Sequence, residues 1–190
     1  MINNIDFSNF KGFFQTGIPE EILYSSFLLC VVLILFGFFS SYVKDKKHFV
    51  FWSLFVEYIL VVLCSTVVCR SYLAEARIEP MPFWDYIAIA NRTPGVSVWD
   101  IILNVVLFLP FGFLLSAIKQ TWNWQNVLLS GFCFSFCIES MQFIFSKGIA
   151  QTDDLMHNSL GTLLGYFIFQ MMRKIVKSNR NNVKLCIKNE

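Results

Sequence analysis

Charge is scarce in this sequence. Asp, Glu, Lys and Arg make up 15% of its 190 residues, against roughly a quarter in an ordinary soluble domain. That shortage excludes a helical bundle in water, because so few polar residues cannot cover so much apolar surface. The net charge is only +2, too small a footprint for nucleic acid. A basic leader is missing as well: the first apolar run follows Glu20 and Glu21, so no cleavable signal peptide is expected. There is no internal repeat, which counts against a transporter built from inverted halves. The six cysteines show no metal-ligand spacing in a polar context and read as small apolar residues of a membrane core. No nucleophile beside a base and no His–carboxylate pair of clear spacing announces an enzyme.

What is present is hydrophobic. Such residues make up 56% of the chain, 22 of them Phe. Five stretches, 22–43, 49–69, 101–118, 125–145 and 155–172, approach or reach the ~20 residues that cross a hydrocarbon core. The expected fold is therefore all-α: a polytopic transmembrane bundle of about five helices spanning 22–172. Pro19, Glu20 and Glu21 make a helix start. In the tail 1–21, Phe7, Phe10, Phe13 and Phe14 are placed to form the apolar face of a short interfacial helix. Ser97 and Asp100 read as a capping box that starts the third span.

The basic residues give the bundle a direction. Lys44, Lys46, Lys47, Lys119 and the tail residues Arg173, Lys174, Lys177, Arg180, Lys184 and Lys188 share one side. Lys11, Arg70, Arg77, Arg92 and Lys147 share the other. The richer side faces the cytoplasm. The N-terminus is then outside, the segment 173–190 is a basic cytoplasmic tail with a frayed end, and 70–100 is the one large extracytoplasmic loop. Trp52, Trp122 and Trp124 fall at the inner interface and Trp99 at the outer one.

Polar residues inside the spans are costly and need partners. Ser135, Glu139, Gln142 and Ser146 are spaced 4, 3, 4 and form one stripe on the fourth span. Asp154, Asn158, Gly161 and Gly165 repeat that spacing on the fifth. The two spans are antiparallel neighbours, and the simplest packing sets stripe against stripe. Asn104, Glu139, Gln142, Asp154 and Asn158 then converge in the outer leaflet, Glu139 about 10 Å below the end of its helix. Gln142 is placed to hydrogen-bond Glu139, Asp153 to cap the fifth helix, and Gly161 and Gly165 to let two backbones approach. Pro110 and Gly112 are expected to break the third span. His157 lies one residue off the stripe and reads as interfacial.

Two segments carry a resemblance. Residues 104–115 read NVVLFLPFGFLL; residues 139–142 read ESMQ, followed by DDLMHNSLGTLLG at 153–165. Together they resemble the N-x-x-x-F-x-P-x-G-F-L-L and E-x-x-Q … D-D-x-x-x-N-x-x-G-x-x-x-G segments of the VanZ-like family. The stretch EPMPF at 79–83 is similar to that family's N-L-x-P-F. Members often carry an Arg shortly before the paired Asp; here Ala150 and Gln151 stand there, so that role is absent or passes to Lys147. The resemblance implies a bacterial plasma-membrane protein of the cell envelope, associated with teicoplanin-type glycopeptide resistance.

Three functions follow, none with a defined cofactor. The first is a protein that binds or shields a lipid-linked precursor or glycolipid at the outer leaflet, with Arg70, Arg77 and Arg92 meeting its phosphates. The second is an intramembrane enzyme with Glu139 as acid or base, and with Asp153 and Asp154 holding a divalent cation on a diphosphate. The third is a proton-coupled transporter using Glu139. Membrane lipids are the expected partners throughout.

Overall fold

The computed structural model describes residues 27–28, 31–36, 45–70, 73–94 and 96–188. The expected interfacial helix in 1–21 lies outside the described residues. Of the span 22–43, residues 27–28 and 31–36 are helical; the rest lies outside them as well.

Helix α1, Lys46–Leu63, starts where the Asp45 carboxylate accepts the His48 N–H. It passes into one wide turn, Cys64–Val68, closed by Cys69 N donating to the Cys64 carbonyl five residues back. Strand β1, Arg77–Glu79, and a short helix α2, Trp84–Ala90, follow. Helix α3, Val98–Ile118, opens on the expected capping box of Ser97 and Asp100. Helix α4, Trp124–Ile144, is capped by Asn123. Strand β2, Ile149–Gln151, leads into α5, Thr152–Lys188.

Among the described residues, three helices are long and apolar enough to cross a membrane: Lys46–Val68, Val98–Ile118 and Trp124–Ile144. Their surfaces agree with that. On α4 the polar Ser135, Glu139 and Gln142 are buried, while Phe132, Phe136, Phe143 and Ile144 are exposed. This is the reverse of a surface helix in water. The expected span 155–172 lies within α5, which is less apolar because its first turns carry Asp153, Asp154, His157 and Asn158.

The fold is mostly helical rather than all-α. β1 and β2 pair in parallel, Arg77 with Ile149 and Glu79 with Gln151. Two extended segments flanking helices thus satisfy each other's backbone groups instead of leaving them bare near the membrane. Pro110 also leaves α3 unbroken. Its ring removes one N–H from the ladder, and the turn before it is supported from outside: Tyr58 Oη donates to the Leu107 carbonyl at 2.8 Å. Nor does α5 stop at residue 172, where the expected span ends. It continues to Lys188 on residues such as Lys and Arg, which are good helix formers, and it is exposed over 171–180.

The packing of the stripes differs from expectation. The glycines of α5 face α3, not α4. A Cβ on Gly161 would sit 2.2 Å from the Val105 carbonyl oxygen, and one on Gly165 2.1 Å from that of Leu109. Gly112 of α3 answers them, its Cβ position lying 1.8 Å from the Thr162 carbonyl oxygen. The helix therefore wedges between two neighbours. Asp154, Gly161 and Gly165 turn to α3, while Asn158 and Thr162, rotated about 40–80° from Asp154, turn to α4. Phe111 stacks on Phe134 at 5.2 Å between α3 and α4 and, with Val62, Phe108, Val127 and Ile138, forms the apolar core.

The two ends of the bundle have different chemistry. At one end Lys119 Nζ lies 5.9 Å from the ring centres of both Trp52 and Trp122, and Arg173 donates to the Gln120 carbonyl. At the other end lie the strands, α2 and the acidic residues.

Candidate functional site

The acidic end is assembled from four chain segments. Asp153 begins it. One of its oxygens accepts Phe83 N at 2.6 Å and the other accepts Asp85 N at 2.8 Å. Those N–H groups belong to the first turn of α2, where they have no helical partner. Phe83 takes a φ of 65° to present them. Asp153 thus fixes α2 against α5, and Thr152 Oγ1 adds a bond to the Pro80 carbonyl. The loop 70–100 is folded back over the bundle by these contacts and by Leu73 N donating to the Ser146 carbonyl.

Asp154 points elsewhere. Its Oδ1 accepts from Asn104 Nδ2 of α3 at 2.5 Å. On the same face of α5, His157 is 3% exposed, with Nε2 3.0 Å from Tyr86 Oη and Nδ1 4.0 Å from Asp85 Oδ2. Asp85, Asp154 and His157 each bring one ligand atom within 4.8 Å of the others. Burial, and then the Asp153 carboxylate beside it, push Asp85 above the usual carboxylate range, with His157 opposing them.

Glu139 is buried beside this group, and its Oε2 accepts Gln151 N of β2 at 3.0 Å. Gln142 does not bond Glu139. Its Nε2 donates to the Thr66 carbonyl, in the wide turn after α1, at 3.0 Å, and its Oε1 is buried without a partner. Asn158 donates to Ser135 Oγ at 2.8 Å, and its own Oδ1 is likewise buried and unpaired. Glu139, Asn104, Gln142, Asp153, Asp154 and Asn158 therefore do lie at one end of the helices.

The arginines separate. The Arg70 guanidinium and Gln142 Oε1 both flank Gly148, where an added Cβ would lie 3.2 Å and 3.0 Å from them. Its positive charge acts on both Glu139 and Asp154. Arg77 is exposed on β1, and Arg92 lies past the far end of α2 from Asp153. Among the described residues, no hydrogen bond or ion pair joins either to the cluster. Lys147 donates to the Val68 carbonyl.

Sequence reasoning passed over Asp85, Tyr86 and the burial of His157. The signal for the first two was faint: an acid and an aromatic just after Pro80 and Pro82 look like an ordinary helix start. For His157, its place three residues after Asp154 was the available clue, since such residues share a helical face.

A groove of about 570 Å³ runs along the outside of α4 and α5. Trp124, Leu128, Leu129 and Phe132 line it on α4, and Thr152, Leu155, Met156 and Ser159 on α5. Its walls are almost wholly apolar, and Thr152 in its lining precedes Asp153 of the acidic end.

These features define a class: a helical membrane protein that keeps an acidic, amide-rich cluster buried at one end of its helices. The chain belongs to the VanZ/LLP1 family, whose family model matches residues 23–173. It is similar to the protein named Protein VanZ from Enterococcus faecium, with 32% identity over 92 residues, or 44% of this chain and 54% of that one. The chain thus spans about half the length of the curated relative it matches. No solved structure matches it.

Proposed function

We propose that this protein is a bacterial plasma-membrane protein that holds the anionic headgroup of a lipid-linked envelope component at the outer leaflet. By binding or shielding that component it contributes to resistance against teicoplanin-type glycopeptides. In this reading the chain crosses the membrane about five times, with the N-terminus outside and the acidic end facing out.

Two features together support the reading: an apolar groove on α4 and α5 whose lining includes Thr152, next to Asp153 in the chain, and a polar group of buried Glu139, half-buried Asn104 and Asp154, and exposed Arg70 at the same end of the molecule. A lipid has the same two-part chemistry. An acyl or isoprenoid chain lies in the groove, and its phosphate meets the exposed Arg70 guanidinium. The position of Lys119 and Arg173 at the opposite end supports the orientation, since Lys and Arg favour the cytoplasmic side, and Trp52 and Trp122 beside them mark an interface.

A second reading has its own support. Glu139 is a buried carboxylate within reach of the charge of half-buried Asp154, with Arg70 nearby. That arrangement suits acid–base or metal-assisted work on a lipid-linked diphosphate or glycolipid.

Teicoplanin susceptibility of cells expressing the protein separates the two. Asn104→Leu and Arg70→Gln are expected to abolish protection at unchanged membrane levels. Glu139→Gln keeps protection if the protein binds and loses it if Glu139 moves a proton. Full protection from the Asn104 and Arg70 variants together would refute a headgroup role for the cluster.

A further inference from the structure

The structure assigns to Asp85, Asp154 and His157 a binding site for one divalent cation of the zinc or manganese class. The assignment does not depend on what lipid, if any, the protein holds.

The ligand set is built by two helices. Asp154 and His157 are three residues apart on the first turns of α5 and share a face. Asp85 is brought over them on α2, whose first turn is pinned by Asp153. Asp153 is thereby a positioning residue, both of its oxygens being engaged with backbone N–H groups. The three ligand atoms lie within 4.8 Å of one another. The edge of a tetrahedral site with ~2.1 Å bonds is about 3.4 Å, so small side-chain rotations close the set on an ion.

The independent sign of a ligand is His157 itself. Its Nδ1 is buried with no hydrogen-bond partner, although it faces Asp85 Oδ2 at 4.0 Å. In the tautomer whose Nε2–H donates to Tyr86 Oη, Nδ1 presents a lone pair towards the Asp85 carboxylate. A cation among them turns that repulsion into coordination. The outer contacts also fit: Tyr86 fixes the imidazole ring, and Asn104 holds one oxygen of Asp154, leaving the second for the ion. Such supports orient metal ligands. Two carboxylates and one imidazole, with no thiolate, favour zinc, manganese or ferrous iron over thiophilic ions. Three protein ligands leave positions open for water or an anionic oxygen.

The test uses the full chain, purified in detergent, stripped with chelator and titrated calorimetrically with Zn²⁺ and Mn²⁺. One equivalent is expected to bind, and His157→Gln, Asp85→Asn and Asp154→Asn are each expected to weaken it at least about tenfold. His48→Gln alters the other histidine, at the opposite end of the bundle, and is expected to bind as the parent does. Melting curves in chelator report whether each variant is folded. Substitution of the parent protein with Co²⁺ needs no variant: a visible d–d absorption band, displaced by Zn²⁺, supports an inner-sphere site. No saturable binding up to roughly 1 mM overturns the assignment. So does unchanged affinity in folded His157→Gln and Asp154→Asn, or loss of binding in His48→Gln alone.

Discussion

Gly161→Ala tests the helix packing that holds the cluster together. The new methyl carbon falls 2.2 Å from the Val105 carbonyl oxygen and 3.0 Å from the Val105 carbonyl carbon. Carbon and carbonyl oxygen come to rest at about 3.3 Å, so α3 and α5 must part locally by about 1 Å. The obstacle is backbone and cannot rotate aside. Gly112 and Gly165, on the same interface, are at least as tight, so neighbouring turns offer no slack. Overpacking costs about 1–3 kcal/mol, and a backbone clash takes the upper end. At roughly 2–4 °C per kcal/mol for a chain of this size, the melting temperature falls by about 6–12 °C. Thermal unfolding in detergent measures it. Gly148→Ala is the internal control. The atoms nearest its methyl are at the ends of the flexible Gln142 and Arg70 side chains, at 3.0 and 3.2 Å, and the change should cost less than about 1 kcal/mol. If Gly161→Ala melts with the parent protein, or Gly148→Ala is the more damaging change, the packing argument is wrong.

Other contacts give smaller, separable effects. Tyr58→Phe removes the support on the turn before Pro110 and should cost about 1 kcal/mol, read as a melting shift of a few degrees. Asp153→Ala leaves two N–H groups at the start of α2 without their acceptor and should cost about 3 kcal/mol. Amide exchange should then quicken over residues 83–90 well before it does in α3 or α4; uniform quickening would deny Asp153 its local role. Single cysteines test the orientation. Glu75→Cys should react in whole cells with a membrane-impermeant maleimide, whereas Lys119→Cys should react only after the cells are opened. The opposite pattern would turn the cluster towards the cytoplasm.

Much of the site was readable because helical spacing is regular. Glu139, Asp154 and Asn158 followed from the 4, 3, 4 pattern alone, and so did the close approach at Gly161 and Gly165. The neighbour that those glycines face was not readable. Two helices joined by a short loop must be adjacent, but adjacency leaves the rotation of each about its axis open, and α5 turned its glycines to α3. Gln142 shows the same limit. Its place on the stripe was clear, yet its partner is the Thr66 carbonyl, 76 residues away. Asp85 was hidden for a different reason. A loop dense in proline and aromatic residues has no period, so nothing along the chain says that it folds back over a membrane helix. Its placement rests on backbone bonds to one carboxylate on another element. The strand pair was equally silent, each strand being three residues long.

The pairing of β1 with β2 has a consequence for how the molecule is made. The two strands are parallel and lie at either end of the stretch that contains α2, α3 and α4. Residues 80–148 must therefore be in place before the strands can meet. The bonds from Asn104 to Asp154, from Asp153 to Phe83 and from Tyr86 to His157 likewise join segments 50 to 71 residues apart. A ribosome delivers α5 after α2, α3 and α4, so none of these contacts exists while those helices are being inserted. Long-range closures of this kind form late. Until then Glu139 lacks the Gln151 N–H and Ser135 lacks Asn158. The nascent chain must keep these groups in water or beside the insertion machinery, and the arrival of α5 both completes the cluster and gives its polar residues their partners.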